Sequence, residues 1–237
     1  MSTFGVIAEF IHGPYHLWFL YSLAGLYLLT PILRKAAAEG KTLAYFLIMF
    51  AAVNVVTQYL IYVPKIGGMI SDFIERTGLR AVTGYMGYFM LGYFLYSKKD
   101  NMSKKTETAI YVIGILMLIA TIAAECFISE ELRKTDFVKQ YMKPNVILYS
   151  AAIYTFFVMK ISKIHYSERT RKVFAVFTEC GFGVYCIHAI LNEFVPTPVI
   201  KSLPLITSLL RVACLYALSL ALTWLIRKIP FVGKKIT

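Results

Sequence analysis

The chain has 237 residues, of which 58% are hydrophobic, and a net charge of +12 from 25 Lys and Arg against 13 Asp and Glu. That apolar content, with a mean hydropathy of +0.64, exceeds the roughly 45–50% of a soluble domain and excludes an ordinary soluble globular protein. The apolar runs lack the strict alternation of barrel strands, so helices are the expected way to satisfy the backbone in lipid.

Met1–His12 has neither a basic start nor a small-residue cleavage pattern after a long apolar core. No cleavable leader is expected, and the first apolar run should itself insert. Seven runs approach the roughly 20 apolar residues that cross a hydrocarbon core about 30 Å thick. They are Tyr15–Leu33, Leu43–Val63, Ala81–Tyr96, Ala109–Ile128, Val146–Ile161, Val173–Leu191 and Leu205–Ile226. The expected fold is all-α, a polytopic membrane bundle of about seven transmembrane helices forming a single membrane domain over residues 1–237, with no soluble domain.

Placement of the cations sets the expected orientation. On one side lie Arg34, Lys35 and Lys41; Lys98, Lys99, Lys104 and Lys105; Lys160, Lys163, Arg169, Arg171 and Lys172; and Arg227, Lys228, Lys234 and Lys235. That side carries twice as many basic residues as the other, which has Lys65, Arg76, Arg80, Arg133, Lys134, Lys139, Lys143 and Lys201. The positive-inside rule makes the richer side cytoplasmic, with the N-terminus outside and the C-terminus inside. The positive charge is then a topology signal and an attraction for anionic headgroups, and no nucleic-acid partner is expected.

Polar side chains within apolar runs are costly and mark candidate sites. In chain order, His16 stands at the outer mouth of the first run, followed by Trp18. Asn54 and Gln58 lie in the second, Glu125 near the outer end of the fourth, Glu179 and His188 in the sixth, and Arg211 in the outer third of the seventh. His16, Gln58, Glu125, His188 and Arg211 share the outer half, which predicts a polar cavity there. Each also has a structural reading: interfacial histidines, interhelical glue for Asn54 and Gln58, and an ion pair or snorkelling for Glu125 and Arg211.

Gly84, Gly87 and Gly92 in "GYMGYFMLGYFLY" read as packing positions, and Gly181 and Gly183 in "ECGFGVYCIH" as a loosened or kinked turn. "VPKIGG" and "FVPTPVIKSLP" read as ordered re-entry loops or short interfacial pieces. The four cysteines, Cys126, Cys180, Cys186 and Cys214, all fall in apolar runs and imply neither disulfides nor a metal site.

"HLWFLYSLAGLYLLTPILR" (His16 to Arg34), "GYMGYFMLGYFL" (Gly84 to Leu95) and "FGVYCIHAIL" (Phe182 to Leu191), in that order, resemble the acyltransferase-3 family of multi-pass membrane O-acyltransferases. The resemblance implies transfer of an acyl group, often acetyl, from a cytoplasmic acyl-CoA to a hydroxyl of an envelope carbohydrate or similar acceptor. It places His16 and His188 on the histidines of the family motifs "H-x-W-F-L-Y" and "F-G-I-Y-L-I-H", with Gly181 and Cys186 departing from the second pattern. Family members carry about ten spans, and the histidine and arginine motifs of the first three carry catalysis. This sequence starts at about the fourth, and none of its arginines has a histidine eleven positions later. The implied picture is a chain lacking the N-terminal spans and the principal catalytic base, and active only if those helices come from elsewhere, as an in-frame extension or a separate chain. Removing three spans from a ten-span protein with both ends inside leaves seven with the N-terminus out, the arrangement the charges give.

O-acylation needs a proton acceptor, a donor to the oxyanion and exclusion of water. His16 or His188 would hold the acceptor or assist proton transfer, Arg211 would stabilise developing negative charge, and Trp18, Gln58 and Glu125 would line the acceptor side. No bound cofactor or metal is expected; acetyl-CoA would be a co-substrate in the cytoplasmic membrane. The competing readings are a non-catalytic membrane partner protein and a transporter that kept the scaffold. A retinal protein is disfavoured because Leu205–Ile226 has no lysine for a Schiff base.

Overall fold

A computed structural model describes residues 18–79, 84–130, 137–195 and 204–229. These form eight α-helices, here α1 (Trp18–Ala38), α2 (Gly40–Gln58), α3 (Gly67–Arg76), α4 (Tyr85–Lys98), α5 (Lys104–Phe127), α6 (Pro144–Met159), α7 (Glu168–Phe194) and α8 (Pro204–Arg227). Two 3-10 turns, Leu60–Tyr62 and Ile161–Lys163, extend the ends of α2 and α6. The described residues contain no strand.

Five stretches are long and apolar enough to cross a membrane: Gly40–Tyr62, Lys104–Phe127, Pro144–Lys163, Glu168–Phe194 and Ile206–Arg227. They coincide with five of the seven expected runs. The other two map to α1, which is weighted down by Arg34 and Lys35 near its end, and to α4. At 14 residues, α4 spans about 21 Å, short of the roughly 30 Å core; residues 80–83, where that run was expected to begin, lie outside the described residues. The described residues are all-helical, and the protein is a membrane protein.

Its polarity is arranged accordingly. Large apolar side chains face outward, Leu28 at 82% exposure and Phe127 at 88%, while small polar ones face other helices. Asn54, Thr121, Thr155 and Ser219 are buried, and each donates to the carbonyl four residues back in its own helix. Such back-bonding lets a polar group sit in a helix contact without an orphaned donor.

The described residues divide into two compact units, one within residues 20–164 and one of the described residues from 165 onward together with Trp18 and Phe19. In the first, Leu33 and Ala37 of α1, Leu43 of α2 and Met90 of α4 form a buried core. Beside it α5 and α6 run antiparallel in one register: Glu107 meets Lys160, Tyr111 meets Phe156, and Thr121 meets Asn145. Gly114 makes that approach possible, since a Cβ there would lie 2.2 Å from the Cβ of Ala152. The "VPKIGG" segment leads through a turn into α3, whose Ile74 is buried and whose Met69 and Phe73 are exposed. Most of "FVPTPVIKSLP" lies outside the described residues.

In the second unit α7 and α8 are antiparallel, with Glu179 against Arg227, Gly183 against Thr223, and Asn192 against Arg211. The expected loosened turn at Gly181 and Gly183 is corrected: α7 runs through both without interruption. Gly183 is small because a Cβ would meet Thr223 Cγ2 at 2.3 Å. Both α5 and α7 start with the same cap. Ser103 and Ser167 each accept from the backbone N–H three residues on, with an acidic residue in the first turn, as a helix N-terminus favours.

The three α4 glycines separate into different roles. Gly84 has φ +91° at the helix entry, a backbone region that only glycine adopts without strain. Gly87 abuts the Phe50 ring, which a Cβ would meet at 2.0 Å, and Gly92 has nothing within 4 Å. Gly87→Ala should therefore destabilise the protein by about 1–3 kcal/mol. Gly92→Ala should be neutral or raise stability by up to about 1 kcal/mol; thermal unfolding in one detergent compares the two.

Candidate functional site

The sixth apolar run places His188 near the end of a long helix, where the i−3 and i−4 carbonyls are within reach of its ring. Nδ1 lies 2.6 Å from the Tyr185 carbonyl and 3.3 Å from that of Val184. Carbonyls only accept, so Nδ1 carries the hydrogen, and a neutral ring holds its lone pair on Nε2. One helical turn on, the Asn192 carbonyl accepts from Arg211 Nη2 at 3.4 Å. Arg211 Nε is buried and has no hydrogen-bond partner among the described residues. A chain of rings approaches from the other side: Tyr185 lies 5.8 Å from His188, Phe19 lies 6.1 Å from Tyr185, and Trp18 lies 6.1 Å from Phe19. Trp18, His188 and Arg211 thus belong to one neighbourhood of the second unit. His16 lies outside the described residues.

Gln58 and Glu125 belong to the other unit, at the end where α2 and α5 finish and α6 begins. There Glu125 Oε2 faces Lys139 Nζ at 3.8 Å, a partly exposed pair worth at most about 1 kcal/mol. Gln58 is engaged through its backbone: its carbonyl accepts from Lys143 Nζ at 2.6 Å. Asn145 ties the same end together, accepting from Tyr59 and donating to Thr121 and to the Val138 carbonyl. Tyr88 donates to the Tyr141 carbonyl.

Sequence reasoning passed over Lys143 as one loop cation among several. It is fully buried, with its ammonium 3.9 Å from the Phe137 ring centroid, 4.7 Å from Tyr59 and 5.3 Å from Tyr62. Three ring faces and a helix C-terminal carbonyl both favour a buried cation. The one available signal was position: a lysine directly before the proline that opens α6.

A second omission had a usable signal. Arg227 Nη1 pairs with Glu179 Oε2 at 2.7 Å and lies 3.7 Å from the sulfur of buried Cys180. Opposite charges at matched depths in consecutive antiparallel runs predict such a pair, and Glu179 had been noted alone. Among the described residues no cluster of His, Cys, Asp or Glu could hold a metal ion.

A family model for an acyltransferase domain, that of the acyltransferase-3 family, matches residues 2–228. The chain belongs to the acyltransferase-3 family. Comparison with curated proteins gives no match, and comparison with solved structures gives none. Family membership covers both groups of polar residues, since the match includes both units.

Burial pushes the Lys143 ammonium below the ordinary lysine range. The folded state then binds that proton less tightly than the unfolded chain, so stability is held down while the lysine is charged in both. It rises as pH climbs through the depressed folded value toward the ordinary one. The melting temperature should increase over that alkaline interval, and Lys143→Met should abolish the increase; thermal unfolding across a pH series reads both.

Proposed function

We propose that this acyltransferase-3 protein takes part in transferring an acyl group, acetyl in the simplest case, from cytoplasmic acyl-CoA to a hydroxyl of an envelope carbohydrate or similar acceptor. The observation that carries the reading is the His188–Arg211 neighbourhood within a family of acyltransferases. A histidine held through Nδ1–H by the Tyr185 carbonyl is fixed in one tautomer, which suits it to orient the acceptor or assist proton transfer from an alcohol. An arginine one turn away, with a buried Nε lacking a described partner, suits the anionic oxygen of a tetrahedral intermediate. In the proposed step the acceptor oxygen bonds to the acyl carbon, its proton leaves, and the thioester C–S bond breaks to release the CoA thiolate, which is then protonated.

His188 and Arg211 are assigned auxiliary roles, orienting the acceptor and stabilising charge, with Trp18 as a wall of the same neighbourhood and His16 two residues before it. The principal base is assigned to the family's arginine-and-histidine motif, contributed from outside these residues. Gln58 and Glu125 are assigned to the acceptor side of the other unit. The proposed topology has seven spans in the cytoplasmic membrane, N-terminus out and C-terminus in, supported by the two-to-one cation bias.

Transfer of label from acetyl-CoA to a carbohydrate acceptor, in membranes with and without a co-expressed segment bearing that motif, tests the activity. His188→Ala should lower the rate by about 100-fold or more, and Arg211→Ala should lower kcat more than it raises KM. Wild-type rates in both variants would remove them from the mechanism. Absence of transfer in every arm would favour the non-catalytic or transport reading. Separately, in a cysteine-depleted background, an impermeant thiol reagent added outside intact cells should label Lys139→Cys and leave Lys35→Cys unlabelled; the reverse would invert the topology.

A further inference from the structure

The antiparallel α5/α6 pair bears an open groove of about 510 Å³, within the roughly 300–1,000 Å³ of small-molecule sites. Its floor is the Gly114–Ala152 contact, where the helices approach most closely and no side chain rises to fill the surface. Its walls are apolar, Ile115 and Phe157 among them, and both are more than half exposed. In an ordinary soluble protein such a slot would invite another helix; in a membrane-spanning pair it faces hydrocarbon.

One end of the groove is different. It closes at Lys160, whose Nζ pairs with Glu107 Oε1 at 2.8 Å, and the same carboxylate oxygen accepts from Tyr111 at 3.0 Å. Lys163 also acts electrostatically on Glu107. The one carboxylate is paired with Lys160 while Lys163 stands within its electrostatic reach, and Lys104 and Lys105 open the adjacent end of α5. The mouth keeps a positive excess beside an apolar trough that follows the helix axes.

We propose that this groove is a binding site for one anionic phospholipid of the leaflet on the Lys160 side. An acyl chain lies along the Gly114–Ala152 floor, and the headgroup phosphate sits against Lys160 and Lys163. A zwitterionic lipid brings the same phosphate together with a cation, which the lysine excess opposes. An anionic headgroup brings the charge the mouth lacks, and basic pockets between transmembrane helices are a recurrent setting for such headgroups. The proposal requires only that α5 and α6 span the membrane and is independent of acyl transfer.

The test uses the full chain, purified and delipidated in detergent, titrated with phosphatidylglycerol or phosphatidylcholine of identical chains and read by native mass spectrometry. One phosphatidylglycerol should be retained in preference to phosphatidylcholine. Lys163→Gln, which leaves the Lys160–Glu107 pair in place, should weaken retention about fivefold. Ile115→Trp, which fills the groove, should abolish selective retention of either lipid. Equal retention of the two lipids, or unchanged retention in both variants, would overturn the proposal.

Discussion

A hydrocarbon environment offers the backbone no hydrogen-bond partners and gives apolar side chains no reason to leave the surface, and the rest of this protein follows from those two facts. Helices satisfy the first. The second shifts the usual balance: many leucines and phenylalanines point outward, and helix contacts rely on Gly87, Gly114, Ala152 and Gly183 and on threonines and serines that bond back to their own helices, beside a small apolar core at Leu33, Leu43 and Met90. Close approach then takes over from apolar burial as the packing force, which is why a Cβ at these glycines collides with a neighbour while one at Gly92 does not.

The same constraint explains where the charges sit. A lysine, arginine or glutamate near lipid must find a partner or water, and three carboxylates of the helix pairs have found a cation. Glu107 holds Lys160, Glu179 holds Arg227, and Glu125 faces Lys139. Lys143 uses ring faces and a helix-end carbonyl in place of a carboxylate. His188 and Arg211 stand apart from these closed pairs. Their described bonds are to backbone carbonyls of α7, which fix the side chains without neutralising them.

Much of this was legible in the chain. Apolar run lengths located five helices that can cross a membrane, and "FGVYCIHAIL" with "HLWFLYSLAGLYLLTPILR" pointed to the family that the match over residues 2–228 establishes. Depth counting gave Arg211 and His188 a common level, and in the structure Arg211 bonds the carbonyl of Asn192, one turn beyond His188. Depth alone does not say which compact unit a residue belongs to. Gln58 and Glu125 share a nominal depth with His188, yet they belong to the other compact unit. The doublet at Gly181 and Gly183 suggested a loosened turn, because a sequence does not show that Thr223 is packed against one of the two.

Taken alone, the sequence determined the solvent of the protein, its helical class and its family, because hydropathy and short motifs are properties of consecutive residues. Tertiary structure decided which polar groups meet: that Lys143 is caged by Tyr59, Tyr62 and Phe137, that Glu179 belongs to Arg227, and that Trp18 reaches His188 through Phe19 and Tyr185. The contacts of Lys143 with Tyr59 and Tyr62, of Glu179 with Arg227 and of Phe19 with Tyr185 join residues tens of positions apart or more. Their existence depends on the rotation of each helix about its own axis, which is set by where small residues allow two backbones to touch.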